Sequence, residues 1–289
     1  MDDAERSATA AANRRTMTYL VGGFLVWMFG AQLTRSSQVE VLLNHFRGDT
    51  VALAAAMGRA GTLSALVGIL INPIVGSAAD AFGRRAVLLA GAVFSILRPA
   101  AWLVAPGVTG LMVAETLAPI AQVCAILPAQ AAIGDMYGHD RVKLASNQSL
   151  LFLVPAVCQI VCPMGGAALT KWRLLAPFVI GVVTAALSGL VALGMPEPMP
   201  ADQRRPFRWL HSTPFTAFSL FRKGRYMASL SVIQVLMDFS ETAGRPDRGA
   251  AALVELHQKE LGWEVRLSCS LWPECTGLGL TGRVVVARS

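Results

Sequence analysis

Six long apolar segments constrain the fold of this chain more than any other feature of its sequence. A helix needs about 20 apolar residues to cross the hydrocarbon core of a bilayer. The segments hold few charges or none, and they are rich in glycine, alanine and serine, which let helices approach closely in lipid. We therefore predict an all-α, multi-pass transmembrane helical bundle with spans at residues 17–34, 60–79, 86–105, 111–133, 149–169 and 174–195.

The composition supports this class of protein. Of the 289 residues, 54% are hydrophobic and only 15% are charged, whereas a soluble domain carries about 25% charged residues. The net charge of +7 does not indicate a nucleic-acid partner, because the basic residues lie between and beyond the apolar segments. The cysteines and histidines show no ligand or disulfide spacing, and no catalytic constellation is present. We predict no enzyme activity, metal, cofactor or nucleic-acid partner.

Positive charge predicts the orientation in the membrane, because cytoplasmic loops carry an excess of lysine and arginine. Four basic residues lie on one side of the predicted spans: Arg35, Arg47, Lys171 and Arg173. Thirteen lie on the other side: Arg6, Arg14, Arg15, Arg84, Arg85, Arg141, Lys143, Arg204, Arg205, Arg208, Arg222, Lys223 and Arg225. We therefore expect a cytoplasmic amino-terminal tail at residues 1–16, followed by a first helix that is not cleaved.

A charged, glycine-bearing turn joins the second and third spans. Gly76, Asp80, Gly83, Arg84 and Arg85 form the pattern G-x-x-x-D-x-x-G-R-R. The pattern and its apolar flanks resemble the loop between helices 2 and 3 of the major facilitator superfamily, a family of secondary transporters. We expect both glycines to let the chain reverse tightly at the membrane surface. The resemblance implies a conformational latch, in which the carboxylate engages the positive start of a helix in the other half of the transporter.

Two further stretches are similar to the same family. The loop after the fourth span, GDMYGHDRVKLASNQS, places Asp135 and Arg141 where such transporters often carry an acidic residue and an arginine. The sixth span opens with KWRLLAPFVIG and closes with ALGMPEP, which match a Trp-Arg pair and a Pro-Glu pair. Glu115 stands where proton-driven drug antiporters usually carry an arginine, and CPMGGAAL only partly matches their helix 5 motif. These departures argue against a drug–proton antiporter.

Complete transporters of this family have twelve spans in two six-helix halves, and the resemblance covers residues 17–239. We expect an amino-terminal half at residues 17–195 and a cytoplasmic linker at residues 196–225. Residues 226–289 are expected to be the truncated start of a second half, with a partial seventh helix at 226–239 and an atypical tail.

Ionisable residues in or near the apolar spans are candidate functional residues, because such groups are costly in hydrocarbon. They are Arg59, Arg98, Glu115 and Asp238. In this family helices 1 and 4 line the central cavity, so the resemblance places Glu115 near the solute. Glu115 is either a proton-titrating or cation-contacting carboxylate, or the partner of Arg98 or Arg59 in a structural ion pair. Three amides are candidates for the same cavity, with interhelical hydrogen bonding as the favoured role: Gln32, Asn72 and Gln122.

The expected function is secondary active transport of a small solute across the lipid bilayer by alternating access. The chain would act as the amino-terminal half of the transporter, with proton coupling as one option. A second half or a homodimer would complete the solute pathway. The alternative is a truncated, non-transporting membrane remnant or interaction subunit. No motif identifies the solute.

Overall fold

A computed structural model describes residues 3–199, with side chains from residue 11, and a few positions beyond them: Arg204, Phe207, Ser229, Val232, Ile233 and Leu236. The predicted linker and the predicted start of a second half lie mostly outside these residues. Asp238 and the remainder of the tail lie wholly outside them.

Six helices form the described bundle, and each corresponds to one predicted span. No predicted span extends more than two residues beyond the ends of its helix. All six are long and apolar enough to cross a membrane. They are α1 (Asp3–His45), α2 (Thr50–Phe82), α3 (Arg84–Val104), α4 (Val108–Tyr137), α5 (Arg141–Trp172) and α6 (Ala176–Gly194). The prediction of an all-α, multi-pass membrane fold is confirmed.

Helix α1 is much longer than the apolar segment that predicted it. It begins at Asp3, inside the segment that was expected to be a polar tail, and continues through polar residues to His45. The first glycine that adopts a left-handed conformation after it is Gly48, with φ 85°. Hydropathy marks the part of a helix that lies in lipid, whereas the helix ends where backbone conformation or capping changes.

The helix starts follow recognisable capping chemistry. The carboxylate of Asp49 accepts hydrogen bonds from the N–H groups of Val51 and Ala52, each at 3.0 Å, and so caps α2. Asp140 caps α5 in the same way through Val142 and Lys143, each at 3.2 Å. Because a capping carboxylate satisfies N–H groups that have no intrahelical partner, these residues fix where α2 and α5 begin.

The main helix contacts have an internal symmetry that the sequence does not reveal. Helix α1 packs against α5 and α6, α4 packs against α2 and α3, and α3 packs against α6. This set of contacts is unchanged when α1, α2 and α3 are exchanged with α4, α5 and α6. Such a pattern is typical of two three-helix units repeated within a transporter half.

Small residues bring the helix backbones close together where they cross. A Cβ atom added at Gly91 in α3 would lie 2.8 Å from the Cβ atom of Cys124 in α4. One added at Gly181 in α6 would lie 2.4 Å from the Cγ2 atom of Thr34 in α1. Helices associate in lipid mainly through such close packing, so these glycines position the charged residues described below.

The two ends of the bundle are distinguished by their turns. We call the end with the α2–α3 turn the Gly83 end, and the end with the α1–α2 turn the His45 end. At the His45 end the ring of Trp102 stacks on Phe178, with centroids 5.2 Å apart, and the indole and phenyl groups are almost wholly buried. This aromatic pair joins α3 to α6 within an apolar cluster that also holds Leu111 and Ala114.

Candidate functional site

Arg84 is the centre of a charged network at the Gly83 end. Its side chain is only 9% exposed. Its Nη1 atom lies 2.5 Å from Oδ1 of Asp80, and its Nε atom donates to Oδ2 of Asp135 at 3.2 Å. The network therefore ties the end of α2, the start of α3 and the end of α4 together, and it unites two residue groups that the sequence predicted separately.

Glu197, just beyond α6, caps the start of α3. The N–H of Arg84 donates to its Oε1 atom at 2.9 Å, and the N–H of Arg85 donates to its Oε2 atom at 3.2 Å. The Arg85 guanidinium also donates to the carbonyl oxygen of Leu193. A carboxylate is stabilised at a helix start by the free N–H groups and by the helix dipole. The Pro-Glu pair seen in the sequence is thus a clamp between α6 and α3.

Gly83 is required at the turn, whereas Gly76 is not part of the reversal. Gly83 adopts φ 98°, and a Cβ atom there would lie 2.7 Å from Oε2 of Glu197. Gly76 lies inside α2, and a Cβ atom there would meet nothing within 4 Å. The expectation that both glycines permit the reversal is corrected: only Gly83 combines a left-handed conformation with close contact.

Arg141, the other residue predicted for the loop between α4 and α5, stands apart from this network. Arg141 is exposed in the first turn of α5. Its neighbour Asp140 pairs with Lys143 at 3.1 Å. The backbone N–H of Lys143 donates to the Asp140 carboxylate and is the main reason that the pKa of this group lies below its usual range. The turn at Asp140 therefore serves to begin α5.

Arg98 and Glu115 form an ion pair inside the membrane-spanning part of the bundle. The Nη2 atom of Arg98 in α3 lies 3.9 Å from the Oε1 atom of Glu115 in α4, and their side chains are 16% and 12% exposed. Of the two arginines that the sequence left as partners for Glu115, Arg98 is the one in contact. Arg59 is exposed on α2. Arg35 on α1 lies near enough to Arg98 for the two positive charges to interact.

The amide candidates are dispersed over three helices. Gln32 on α1 is half-buried, whereas Gln122 on α4 and Asn72 on α2 are exposed. Gln122 is in the middle of α4, seven residues after Glu115 and on the same face of the helix. Glu115 and Gln122 therefore share one face of α4, where the first is buried and the second is exposed.

Two polar contacts between helices were missed by sequence reasoning. The hydroxyl of Thr170 on α5 donates to a carboxylate oxygen of Glu40 on α1, and the indole N–H of Trp27 donates to the hydroxyl of Ser95 at 2.8 Å. Each joins residues far apart in the chain, and their spacing gives no signal. Glu40 lies beyond the predicted first span, which ends at residue 34.

A small cavity lies between α1, α3, α4 and α6. It has a volume of about 50 Å³, and Tyr19, Trp27, Ser95 and Ser188 are among its lining residues. Ligand pockets usually measure about 300–1,000 Å³, so this cavity is too small for a solute of ordinary size. Within residues 3–199 and the few positions described beyond them, no three metal-ligating side chains cluster.

The family model of the Major Facilitator Superfamily matches residues 11–288. An uncharacterized MFS-type transporter, YdgK, from Bacillus subtilis is 29% identical over 165 residues, which are 54% of this chain and 40% of the relative. The multidrug resistance protein MdtM from Salmonella typhimurium is 25% identical over 74% of this chain and 49% of its own length. The class C tetracycline resistance protein from Escherichia coli is 27% identical over 64% of this chain and 45% of its own length. The chain spans less than half the length of these relatives.

Two solved structures share the fold. The human organic anion transporter MFSD10 superposes with a TM-score of 0.59 and 17% identity, over 69% of this chain and 52% of its own. A peptide transporter, POT, in its E310Q mutant form with alafosfalin, superposes with a TM-score of 0.54 and 20% identity. The superposition covers 76% of this chain and 46% of the transporter. At such low identity the likeness concerns the fold alone.

Proposed function

Because this chain belongs to the Major Facilitator Superfamily, we propose that its six-helix bundle is one of two bodies that move a small solute across the membrane by alternating access. The chain is an integral multi-pass membrane protein of a transporter family and not an enzyme. The second body is either another six-helix unit or a second copy of this chain. The proposed orientation has the amino terminus and the Gly83 end in the cytoplasm.

The exposed amide of Gln122 carries this proposal. It lies at the middle of α4, a helix of 30 residues, so it sits near the centre of the membrane. A polar group exposed to lipid at that depth is costly, whereas one that faces a water-filled cavity is not. The same face of α4 holds Glu115, and in this family helix 4 lines the solute cavity. We assign this face of α4 to the solute pathway.

The network at the Gly83 end supports the proposal that a second six-helix body contacts this one. Asp80 engages Arg84 and still leaves 43% of its side chain exposed. An exposed carboxylate beside a helix turn can reach the positive start of a helix in a second body. We propose that Asp80 forms this latch in one conformation of the transporter and that Arg84 positions it.

The relatives do not identify a solute for this chain. Their names refer to several drugs, to tetracycline, to organic anions and to peptides. The solute-contacting residues proposed here are Glu115 and Gln122, with Gln32 on the adjoining central helix. Proton coupling through Glu115 is part of the proposal.

Gradient-driven uptake, compared with oligomeric state, tests this function. The chain is reconstituted into liposomes, cross-linked to determine its assembly, and supplied with a panel of solutes under a proton gradient. We expect accumulation only where two six-helix bodies are assembled, and we expect Gln122→Leu to reduce it. Accumulation by a chain shown to be monomeric would contradict the two-body mechanism. No accumulation by any assembled form would instead favour a non-transporting membrane protein or interaction subunit.

A further inference from the structure

Cys158 and Cys162 place two thiols side by side on the buried face of α5. The two residues are four positions apart, and residues at this spacing are neighbours on a helix surface, with Cβ atoms about 5–6 Å apart. Cys158 is 5% exposed and Cys162 is 1% exposed. The two thiols lie close enough to interact with each other. Cysteine spacing along the chain predicted no ligand site, but the helix makes these two thiols a pair.

The thiol pair lies in apolar surroundings that exclude a charged ligand. Its cluster includes Met28 of α1, Ile133 of α4 and Val154 of α5. A charged group is costly in such a setting, whereas cysteine thiols favour soft, polarizable partners. A ligand that suits this pair is therefore soft and thiol-seeking, and it is uncharged both before and after it binds.

Two prolines give the thiol pair freedom to close on a shared atom. Pro155 lies three residues before Cys158, and Pro163 directly follows Cys162, both inside α5. Because proline has no N–H group, the helix lacks the hydrogen bonds that would reach the carbonyl oxygens four residues earlier. The turn between the prolines can therefore adjust when a ligand draws the two sulfur atoms together.

We propose that Cys158 and Cys162 form a dithiol site for monosubstituted trivalent arsenicals, such as an arylarsenous acid. The uncharged arsenical, R–As(OH)2, forms two As–S bonds and loses two As–O bonds. Each thiol proton leaves with one hydroxyl group as water, arsenic stays trivalent, and the product R–As(SR)2 is uncharged. The site goes beyond the proposed transport function and does not depend on it.

The outer surface of α5 suits an apolar group on the arsenic atom. Val157 and Val161, which precede Ile160 and Cys162 by one residue or three, are large apolar residues with about half of their surface exposed. An apolar arsenical can therefore approach the thiols from lipid or detergent while its substituent stays in an apolar environment. A free metal ion would have to enter the same region as a charge, which is unfavourable.

Arsenic bound to the purified full chain in detergent tests the site. Cys269 and Cys275, which lie outside the described residues, are first replaced by serine, so that the remaining thiols are Cys124, Cys158 and Cys162. This background chain is incubated with phenylarsine oxide, separated from free reagent by gel filtration, and analysed for arsenic by mass spectrometry. We expect one arsenic per chain. Dimercaprol should release it and β-mercaptoethanol at equal thiol concentration should not, because only a dithiol replaces both As–S bonds within one molecule.

Three variants of the background chain separate a paired site from single reactive thiols. Cys158→Ala and Cys162→Ala should each weaken arsenic binding about 100-fold or more, because the second As–S bond no longer forms at a high effective concentration. Cys124→Ala is the matched control and should bind normally, since Cys124 is buried in a separate cluster with Val75 and Val87. Size-exclusion profiles and helix content by circular dichroism confirm that each sample is folded.

Failure of this inference can be distinguished from failure of the transport proposal. Absence of arsenic on the folded background chain would overturn the dithiol site, and so would undiminished binding in a folded Cys158→Ala or Cys162→Ala variant. Loss of binding in Cys124→Ala would overturn the assignment to α5. Should one alanine variant unfold, the other variant and the dimercaprol comparison decide the question. Solute uptake by a chain that binds no arsenic would leave transport intact, and arsenic binding without uptake would leave the dithiol site intact.

Discussion

Arg84 is a nearly buried cation that two carboxylates stabilise from different helices. Asp80 contacts it within the same turn and Asp135 contacts it from the end of α4. A buried charge that keeps one partner loses little when the other is removed, whereas a buried charge without partners is strongly unfavourable. Either carboxylate alone should therefore be enough to stabilise the buried charge of Arg84.

The first prediction uses this redundancy. Asp80→Ala alone should lower the free energy of unfolding by about 0–1 kcal/mol, because the partly exposed pair is screened, and the same holds for Asp135→Ala. The double variant should lose more than the sum of the two by about 1 kcal/mol or more. Unfolding by SDS titration in mixed micelles measures all three. Additive losses would show that Arg84 does not depend on these carboxylates.

The second prediction concerns the clamp formed by Glu197. Glu197→Ala should destabilise the bundle by about 1 kcal/mol, because the start of α3 loses its capping carboxylate. Glu197→Gln is the matched control, since it keeps one acceptor oxygen, and it should lose less. The same SDS titration provides the comparison. Unchanged stability in Glu197→Ala would mean that solvent caps α3 equally well.

At the residue scale the sequence predicted which groups matter more readily than what they contact. An ion pair with Arg98 or Arg59 is one of the two roles predicted for Glu115, and the packing of α3 against α4 makes Arg98 the partner in contact. The sequence marks Glu197 only as part of a Pro-Glu pair. Its contact with Arg84 crosses 113 positions of the chain, and no local pattern encodes a contact of that range.

At the scale of helices, the closest crossing of α3 and α4 depends on Gly91. A Cβ atom there would lie 2.8 Å from the Cβ atom and 3.2 Å from the backbone carbon of Cys124, and backbone cannot move aside cheaply. A Cβ atom added at Gly134, on α4, would meet nothing within 4 Å. The two glycines therefore differ in packing although both lie inside helices.

The third prediction follows from this contrast. Gly91→Ala should lower the free energy of unfolding by about 1–3 kcal/mol, because the added methyl group overpacks the crossing. Gly134→Ala should leave stability unchanged or raise it by about 0.5–1 kcal/mol, because alanine is the better helix former. SDS unfolding of both variants tests the pair. A Gly91→Ala variant as stable as Gly134→Ala would contradict the close crossing of α3 and α4.

Helix positions could be predicted from the sequence because the lipid requirement leaves a strong apolar signal. Helix ends could not be predicted, as α1 illustrates. Its residues from Arg35 to His45 mix polar and apolar side chains and continue the helix, and the first left-handed residue is Arg47, at φ 53°, followed by Gly48 at φ 85°. Asp49 and Asp140, by contrast, are capping residues of a familiar type at the observed starts of α2 and α5.

At the scale of the whole molecule, the two ends of the bundle differ in chemistry. The Gly83 end holds the network of Arg84, Asp80, Asp135 and Glu197. The His45 end holds the aromatic pair and the Glu40–Thr170 contact. The helix contacts repeat between the two three-helix units, although no internal repeat is visible in the sequence.

The central claim is a six-span bundle with its Gly83 end in the cytoplasm. The most direct test places single cysteines at His139, in the α4–α5 turn, and at Lys171, at the end of α5, in a background from which the five native cysteines have been removed. Both positions are exposed, whereas Thr170 beside Lys171 is buried and would label poorly. An impermeant thiol reagent is then applied to intact cells and to inverted membrane vesicles. We predict that the cysteine at 171 labels in intact cells and the cysteine at 139 only in inverted vesicles, because α5 crosses the membrane between them. Labelling of both positions from the same face would contradict the six-span topology, and the reverse pattern would contradict its orientation.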